Sequence, residues 1–272
     1  MAPLVALLTD FGLDDPYVGQ MKAALLGKAP GTELVDISHG VRPQDVLQAS
    51  FFLSASFPHL PGNSLCLCVV DPGVGTKRKI VLLQQGQQRV LAPDNGLLTL
   101  VLERGQAFRA WDMTASQPPG PVSATFHGRD LFAPLAADLI LGKDPDTIGM
   151  AIAVSSLHRL RLPRVTLQRD TLTAVVLHVD RFGNCVLNVP DGWAARLRTY
   201  AWLRLEKPVG RSVALATTYG RLAQGQLGLL PGSQGYYELA LNGSSAAADL
   251  GLVPGAGCVF ECRSDFPRDS HP

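Results

Sequence analysis

Leu4–Leu8 is apolar at every position, and so is Leu65–Val70. Strands read this way when both faces are buried, as they are in the parallel sheets of α/β folds. Between them lies Tyr17–Leu26, with apolar residues at helical spacing, stopped by Ala29-Pro30-Gly31. Leu34–Ile37 reads as a second strand, and Pro43 is placed to open a helix running through Val46, Leu47 and Phe51 towards Pro58. Ile80–Leu83 and Arg89–Leu91 read as a further pair of strands, Leu97–Leu102 and Leu131–Leu141 as helices. This rhythm predicts an α/β domain over residues 1–160, a mostly parallel sheet covered by helices.

From about Val165 the pattern changes. Leu172–Val179, Cys185–Val189, Trp202–Leu205, Val213–Ala216, Tyr236–Ala240 and Cys258–Glu261 are short β-rich runs separated by glycines and prolines. They suit a small β-barrel or sandwich over residues 165–265, with Arg161-Leu-Pro-Arg164 as linker. Asp265–Pro272 is a mostly polar tail.

Bulk properties exclude several classes. Charged residues are 17% of the 272 and the net charge is +1, with no stretch basic enough to follow a phosphate backbone, so nucleic acid is not an expected partner. No apolar run approaches the ~20 residues that span a bilayer. The first ten residues lack a basic start and reach an acid, so they read as a strand and not as a signal peptide. The five cysteines sit in apolar, strand-like runs without zinc-type spacing, which favours free thiols in a reducing, cytoplasmic compartment.

Four segments of the first half place polar residues and glycine after a strand or before a helix: Thr9–Gly12, Asp71–Gly75, Ala92–Gly96 and Phe126–Asp130. One alone would be turn and cap chemistry. Four in one domain point to the carboxyl edge of the sheet, where ligands bind. Asp10 ends the first strand, where its two oxygens suit ribose hydroxyls. Asp10, Asp71 and Asp94 would repel a phosphate, and the glycines match neither a dinucleotide fingerprint nor a Walker loop. What remains is a neutral or cationic nucleoside, or a metal site. The Gly73-Val-Gly75 turn lets Arg78 fold back onto Asp71, and His127 beside that pair could orient and polarise a water. His39, His59, His158, His178 and His271 read as structural.

The ordered set Thr9–Gly12, Asp15–Gly19, Met21-Lys22, Asp36–His39, Asp71–Gly75, Ala92–Gly96, Phe126–Asp130, Val179–Asn184, Ser233–Tyr236 and Leu241-Asn242 resembles the S-adenosylmethionine hydroxide adenosyltransferases. These are the water-using relatives of the fluorinase and chlorinase enzymes. The likeness runs over almost the whole chain and implies a C-terminal β-barrel. It also implies hydrolysis of S-adenosylmethionine to adenosine and methionine, with no resident cofactor and no metal. By position it makes Asp71, Arg78 and His127 the water-activating triad and Asp10 the ribose ligand. Asp15 and Asp180 then hold the methionine end, and Ser233 receives its carboxylate. Phe182, Asn184, Tyr219, Asn242 and Gly243 surround the adenine, and Asn95 joins the substrate-binding set. The family's homotrimers place each site between the N-terminal domain of one subunit and the C-terminal domain of the next.

The chemistry is self-consistent. The sulfonium makes the ribose C5′ electrophilic and methionine leaves as a neutral thioether, so no acid is needed for it. Holding one water in line can remove about 7–11 kcal/mol of the barrier. Three alternatives compete. In a halogenase, the resemblance implies an aromatic or small residue where this chain has Asp71, whose carboxylate would repel a halide; Gln44 likewise stands where the fluorinase has tryptophan. A metal-dependent phosphohydrolase would use Asp10, Asp71, Asp94, Asp130 and His127 as an oxygen-rich set. A non-catalytic sensor would bind S-adenosylmethionine or adenosine without turnover.

Overall fold

A computed structural model describes residues 3–105, 107–116 and 120–264. The predicted polar tail lies outside the described residues. The chain divides into two compact units, Met1–Leu160 and Arg161–Pro272, treated separately below.

In the first unit, β1 (Leu4–Thr9), α1 (Tyr17–Lys28), β2 (Glu33–Ser38), α2 (Val46–Ser56) and β3 (Ser64–Val69) form two strand–helix–strand crossovers. Then come β4 (Ile80–Gln85), β5 (Gln88–Pro93), α3 (Thr99–Leu102), β6 (Arg109–Asp112), α4 (Ala133–Ile140), α5 (Pro145–Ile148) and β7 (Met150–Ile152). The seven-stranded sheet has the order β2-β1-β3-β5-β4-β6-β7. β1 pairs in parallel with β2 and β3, and β3 with β5. The pairings from β5 through β4 and β6 to β7 are antiparallel. The sheet is therefore mixed, parallel only in the half that β1 and β3 centre.

Residues of β1 alternate between two cores. Ala6 and Leu8 pack with Ala49 and Leu53 of α2, whereas Val5 and Leu7 pack with Met21 and Leu25 of α1 and Leu135 and Leu139 of α4. Both faces are covered, which is why β1 and β3 carry no polar alternation.

Two helix starts differ from expectation. Pro43 does not open α2: Gln44 has φ of +65°, which no helix accommodates, and Asp45 caps the helix by accepting from Gln48 N. The helix expected at Leu131–Leu141 begins earlier, as a π-helical turn over Gly128–Phe132 that runs into α4. Such turns recur at functional sites, and this one follows His127 directly.

The second unit contains β8 (Thr166–Gln168), β9 (Thr171–Val179), β10 (Cys185–Pro190), α6 (Ala194–Leu197), β11 (Trp202–Lys207), β12 (Arg211–Leu215), β13 (Leu227–Pro231), β14 (Tyr236–Leu241), α7 (Ala246–Leu250) and β15 (Gly257–Arg263). Strands pair in the order β10-β14-β13-β12-β11-β15-β9-β8, and β9 also pairs with β10. That pairing closes a barrel and leaves β8 outside it. Leu187, Leu203, Leu229, Leu239 and Phe260 are among the residues filling the interior. All five cysteines are free and buried. Burial pushes the thiols of Cys66, Cys185 and Cys258 up to about 12, so they pack as small hydrophobes.

Candidate active site

Four loops of the first unit meet at the carboxyl ends of β1 and β3. They enclose a cavity of about 220 Å³ whose lining includes Asp10, Phe11, Gln44, Asp71, Phe126 and His127.

Asp71 follows β3 by two residues, and the chain then doubles back. Val74 N donates to Asp71 O at 3.1 Å and Thr76 N to Gly73 O at 3.1 Å. Gly75 sits at φ +77° with Ala124 O 2.8 Å from where a Cβ would lie, so this turn excludes any side chain there. The reversal brings Arg78 onto Asp71. Its Nε and Nη2 both donate to Asp71 Oδ2, at 2.8 and 2.6 Å. The pair is sequestered, with side-chain exposures of 10% for Arg78 and 5% for Asp71. The guanidinium also lies over the Phe132 ring, 5.3 Å from its centroid.

Arg78 Nη2 is also 2.8 Å from His127 Nδ1. A guanidinium can only donate, so Nδ1 accepts and a neutral imidazole carries its proton on Nε2. Burial, and then the Arg78 charge, hold His127 below its ordinary value against the opposing pull of Asp71 and Asp130, which keeps it neutral at pH 7. Meanwhile Asp71 Oδ1 is buried without a hydrogen-bond partner among the described residues. An orphaned buried carboxylate oxygen is an incomplete arrangement.

Asp10 lies one residue past β1, and its Oδ2 accepts from Gln44 N at 2.8 Å. Burial raises its carboxyl above the usual range, and nearby Asp71 adds to the rise. Phe11, Tyr17 and Phe126 pack together with ring centroids 5.1–6.0 Å apart, Phe126 meeting the other two edge to face.

Other expected residues of this unit stand apart from the cavity. Asp15 is exposed on the loop before α1. Asn95 spends its amide inside the protein, donating Nδ2 to Val70 O at 2.8 Å while Oδ1 accepts from Leu97 N. It braces the end of β3. The oxygen-rich set considered for a metal does not assemble either. Asp94 accepts from His158 N, and Asp130 is held by Arg129 and Ser123 N. Among the described residues, no three His, Cys, Asp or Glu side chains gather as a metal site would require.

The second unit carries its expected residues on barrel loops. Asp180 closes the β9–β10 turn, accepting from the backbone N–H groups of Phe182 and Asn184 and from Asn184 Nδ2. Phe182 projects from that turn, 79% exposed. Asn242 and Gly243 follow β14, where Asn242 Nδ2 donates to Leu222 O. Ser233 lies in the β13–β14 connection, at the opposite end of β14. Tyr219, half exposed, donates its phenol to Glu238. Glu238 was not foreseen. It is 5% exposed, and burial raises its carboxyl despite the Tyr219 bond, with Asp180 adding to the rise. Its signal was present, as a lone acid inside the apolar run Tyr236–Leu241.

A site of this kind, two carboxylates and an arginine-fixed neutral histidine at a sheet edge, belongs to an enzyme that activates water beside a cationic or neutral ligand. Comparison with known proteins assigns the lineage. Residues 5–149 match the profile of the SAM hydroxide adenosyltransferase N-terminal domain and residues 174–259 that of its C-terminal domain. The chain belongs to the SAM hydroxide adenosyltransferase family. It is 39% identical over 262 residues to an "(R)-S-adenosyl-L-methionine hydrolase" of Thermus thermophilus, covering 92% of this chain and 96% of that one. A fluorinase of an Actinoplanes species is 25% identical, at 93% and 95% coverage. A crystal structure titled as an uncharacterized conserved protein from Thermotoga maritima superposes with a TM-score of 0.86 at 32% identity, covering 94% of this chain and 99% of that one. No helix among the described residues is long and apolar enough to cross a membrane.

Proposed function

We propose that this protein hydrolyses S-adenosyl-L-methionine to adenosine and L-methionine, and that its substrate is the (R) sulfonium epimer named for its hydrolase relative. The observation that carries the reading is the buried, unpaired Oδ1 of Asp71, with Arg78 fixing Asp71 and His127 together; a water donates to Oδ1 and accepts from His127 Nε2. The water's second proton stays on oxygen while one lone pair faces C5′. As the C5′–O bond forms, the C5′–S bond breaks and its electron pair goes to sulfur, leaving methionine as a thioether. The proton lost by the water passes to Asp71 Oδ1 and then to solvent. His127 cannot be the base, because its free nitrogen already carries a proton; it holds the water's oxygen. Asp10 receives the ribose hydroxyls, and the carboxylates of the pocket suit a cationic substrate.

The reaction needs neither cofactor nor metal, since the substrate brings its own leaving group. Asp180 and Ser233 receive the methionine end, with Asp15 beside them, and Phe182, Asn184, Tyr219, Asn242 and Gly243 take the adenine. Homotrimeric assembly, with each site shared between the first unit of one subunit and the barrel of the next, is supported by the outward-facing rings of Phe182 and Tyr219. Free, buried thiols suit the reducing cytoplasm.

The test is incubation of purified protein with each sulfonium epimer, with chloride present and metal chelated. Equal amounts of adenosine and methionine, lost in Asp71→Ala and His127→Ala, support the reading. A 5′-chloro product, or binding without turnover, overturns it.

A further inference from the structure

Behind the cavity lies a polar chain that the mechanism above does not use. His39 is 4% exposed, in the loop between β2 and α2. Its Nδ1 is 2.8 Å from the Oγ1 of Thr9, the fully buried last residue of β1. Its Nε2 lies 3.1 Å from Asp36 Oδ1 without hydrogen-bond geometry, and Asp36 Oδ2 accepts from Lys22 Nζ at 2.8 Å. A carboxylate only accepts, so the ring proton belongs on Nε2, and Nδ1 accepts the Thr9 hydroxyl proton. That leaves Oγ1 as acceptor for Phe11 N, at 3.3 Å. Hydrogen bonds thus run one way, from the Phe11 amide through Thr9 to His39, whose ring faces an Asp36 anchored on α1.

Asp10 lies between the two residues this chain grips. The same loop also grips Asp10 from its other side. His39 O accepts from Gly12 N at 2.8 Å, and Gln44 N donates to Asp10 Oδ2 at 2.8 Å. Gln44 does so at φ +65°, a conformation strained for a non-glycine residue. Burying a histidine and a threonine hydroxyl beside a strand end also costs stability relative to an apolar filling. Strain and buried polarity converge on the placement of one carboxylate.

We propose that His39 is a positioning residue that, through Thr9, sets the Asp10 carboxylate for the ribose hydroxyls of the substrate. None of Thr9, Asp36 and His39 lines the cavity, so their influence passes through Asp10. The inference rests on the reading of Asp10 as the ribose ligand.

The experiment is calorimetric binding of adenosine and 2′-deoxyadenosine to the full-length protein, a measurement independent of turnover. Wild type is expected to prefer adenosine by about 10-fold or more, as a hydrogen bond to a charged group implies. His39→Ala and Thr9→Val should shrink that ratio to within about 3-fold of unity. His39→Asn, whose amide oxygen can take the place of Nδ1, should restore most of it. A merely structural role would weaken both ligands alike and leave the ratio unchanged. An unchanged ratio in folded Thr9→Val and His39→Ala overturns the positioning role. A wild-type ratio near unity overturns the ribose reading of Asp10 itself, so the two failures are told apart.

Discussion

The two units hold their candidate residues by different means. In the first, side chains distant in sequence lock one another: Arg78 spans Asp71 and His127, the latter 49 residues away. In the barrel Asp180 is satisfied locally, its three bonds all falling within four residues, whereas Tyr219 and Asn242 reach Glu238 and Leu222, 19 and 20 residues away. A reacting water needs fixed geometry, and the carboxyl edge of a doubly covered sheet supplies it. Recognition of an adenine or an amino acid tolerates loops, where an exposed ring such as Phe182 contributes area without disturbing the core. The contrast predicts that changes at Asp71, Arg78 and His127 fall on kcat and stability, and changes in the barrel on KM.

The largest effect belongs to Arg78→Ala. It strands a buried carboxylate, so it should cost about 3–5 kcal/mol of stability, read as a fall in the unfolding midpoint, besides abolishing turnover. Asp71→Asn keeps the shape and removes the proton acceptor. It should lower kcat by about 10²–10⁴-fold with the fold intact. If Asp71→Asn instead raised KM at constant kcat, the division of labour between the units would be broken.

Phe182→Ala should raise KM by about 2–12-fold, the worth of one aromatic contact, and leave kcat and thermal stability nearly unchanged. The pH profile sharpens the same contrast. Because His127 is held below its ordinary value of 6.5, kcat/KM should stay level from neutrality down to that pH. It should fall only as the pH drops through the depressed value, where protonation at Nδ1 expels Arg78. The sign for stability is the same, since a depressed group contributes above its unfolded pKa and loses that contribution as the pH falls through its folded one. Asp10, raised by burial, adds to this acid limb, so Asp10→Asn should simplify its shape. The smallest effect is none at all: alkylating reagents should leave the native enzyme active, because burial keeps its thiols protonated.

The legibility of the molecule follows the same division. β1 and β3 could be read because every residue meets one core or the other. The meeting of Asp10, Asp71 and His127 followed from their places at strand and helix ends, and that of Arg78 from its glycine turn. β13 was hidden by Gly228 and Pro231, which interrupt its apolar run, and β6 and β7 are too short to carry a pattern. The antiparallel half of the sheet leaves no mark in composition. Nor does the positive φ of Gln44, which moved the start of α2, because tertiary bonds impose it. Asn95 sat in a telling motif, yet its amide is consumed by the backbone. Glu238 was passed over because a single acid in a strand reads as an exposed position.

The central claim is that a water held by Asp71 and His127 attacks the ribose C5′. Turnover in ¹⁸O-enriched water, with the adenosine and methionine analysed by mass spectrometry, tests it most directly. The account predicts one ¹⁸O at the 5′-oxygen of every adenosine formed, unlabelled methionine, and labelled nucleoside formed about 10²–10⁴-fold more slowly by Asp71→Asn. Unlabelled adenosine, or label-incorporating turnover that persists undiminished in Asp71→Asn, would contradict it.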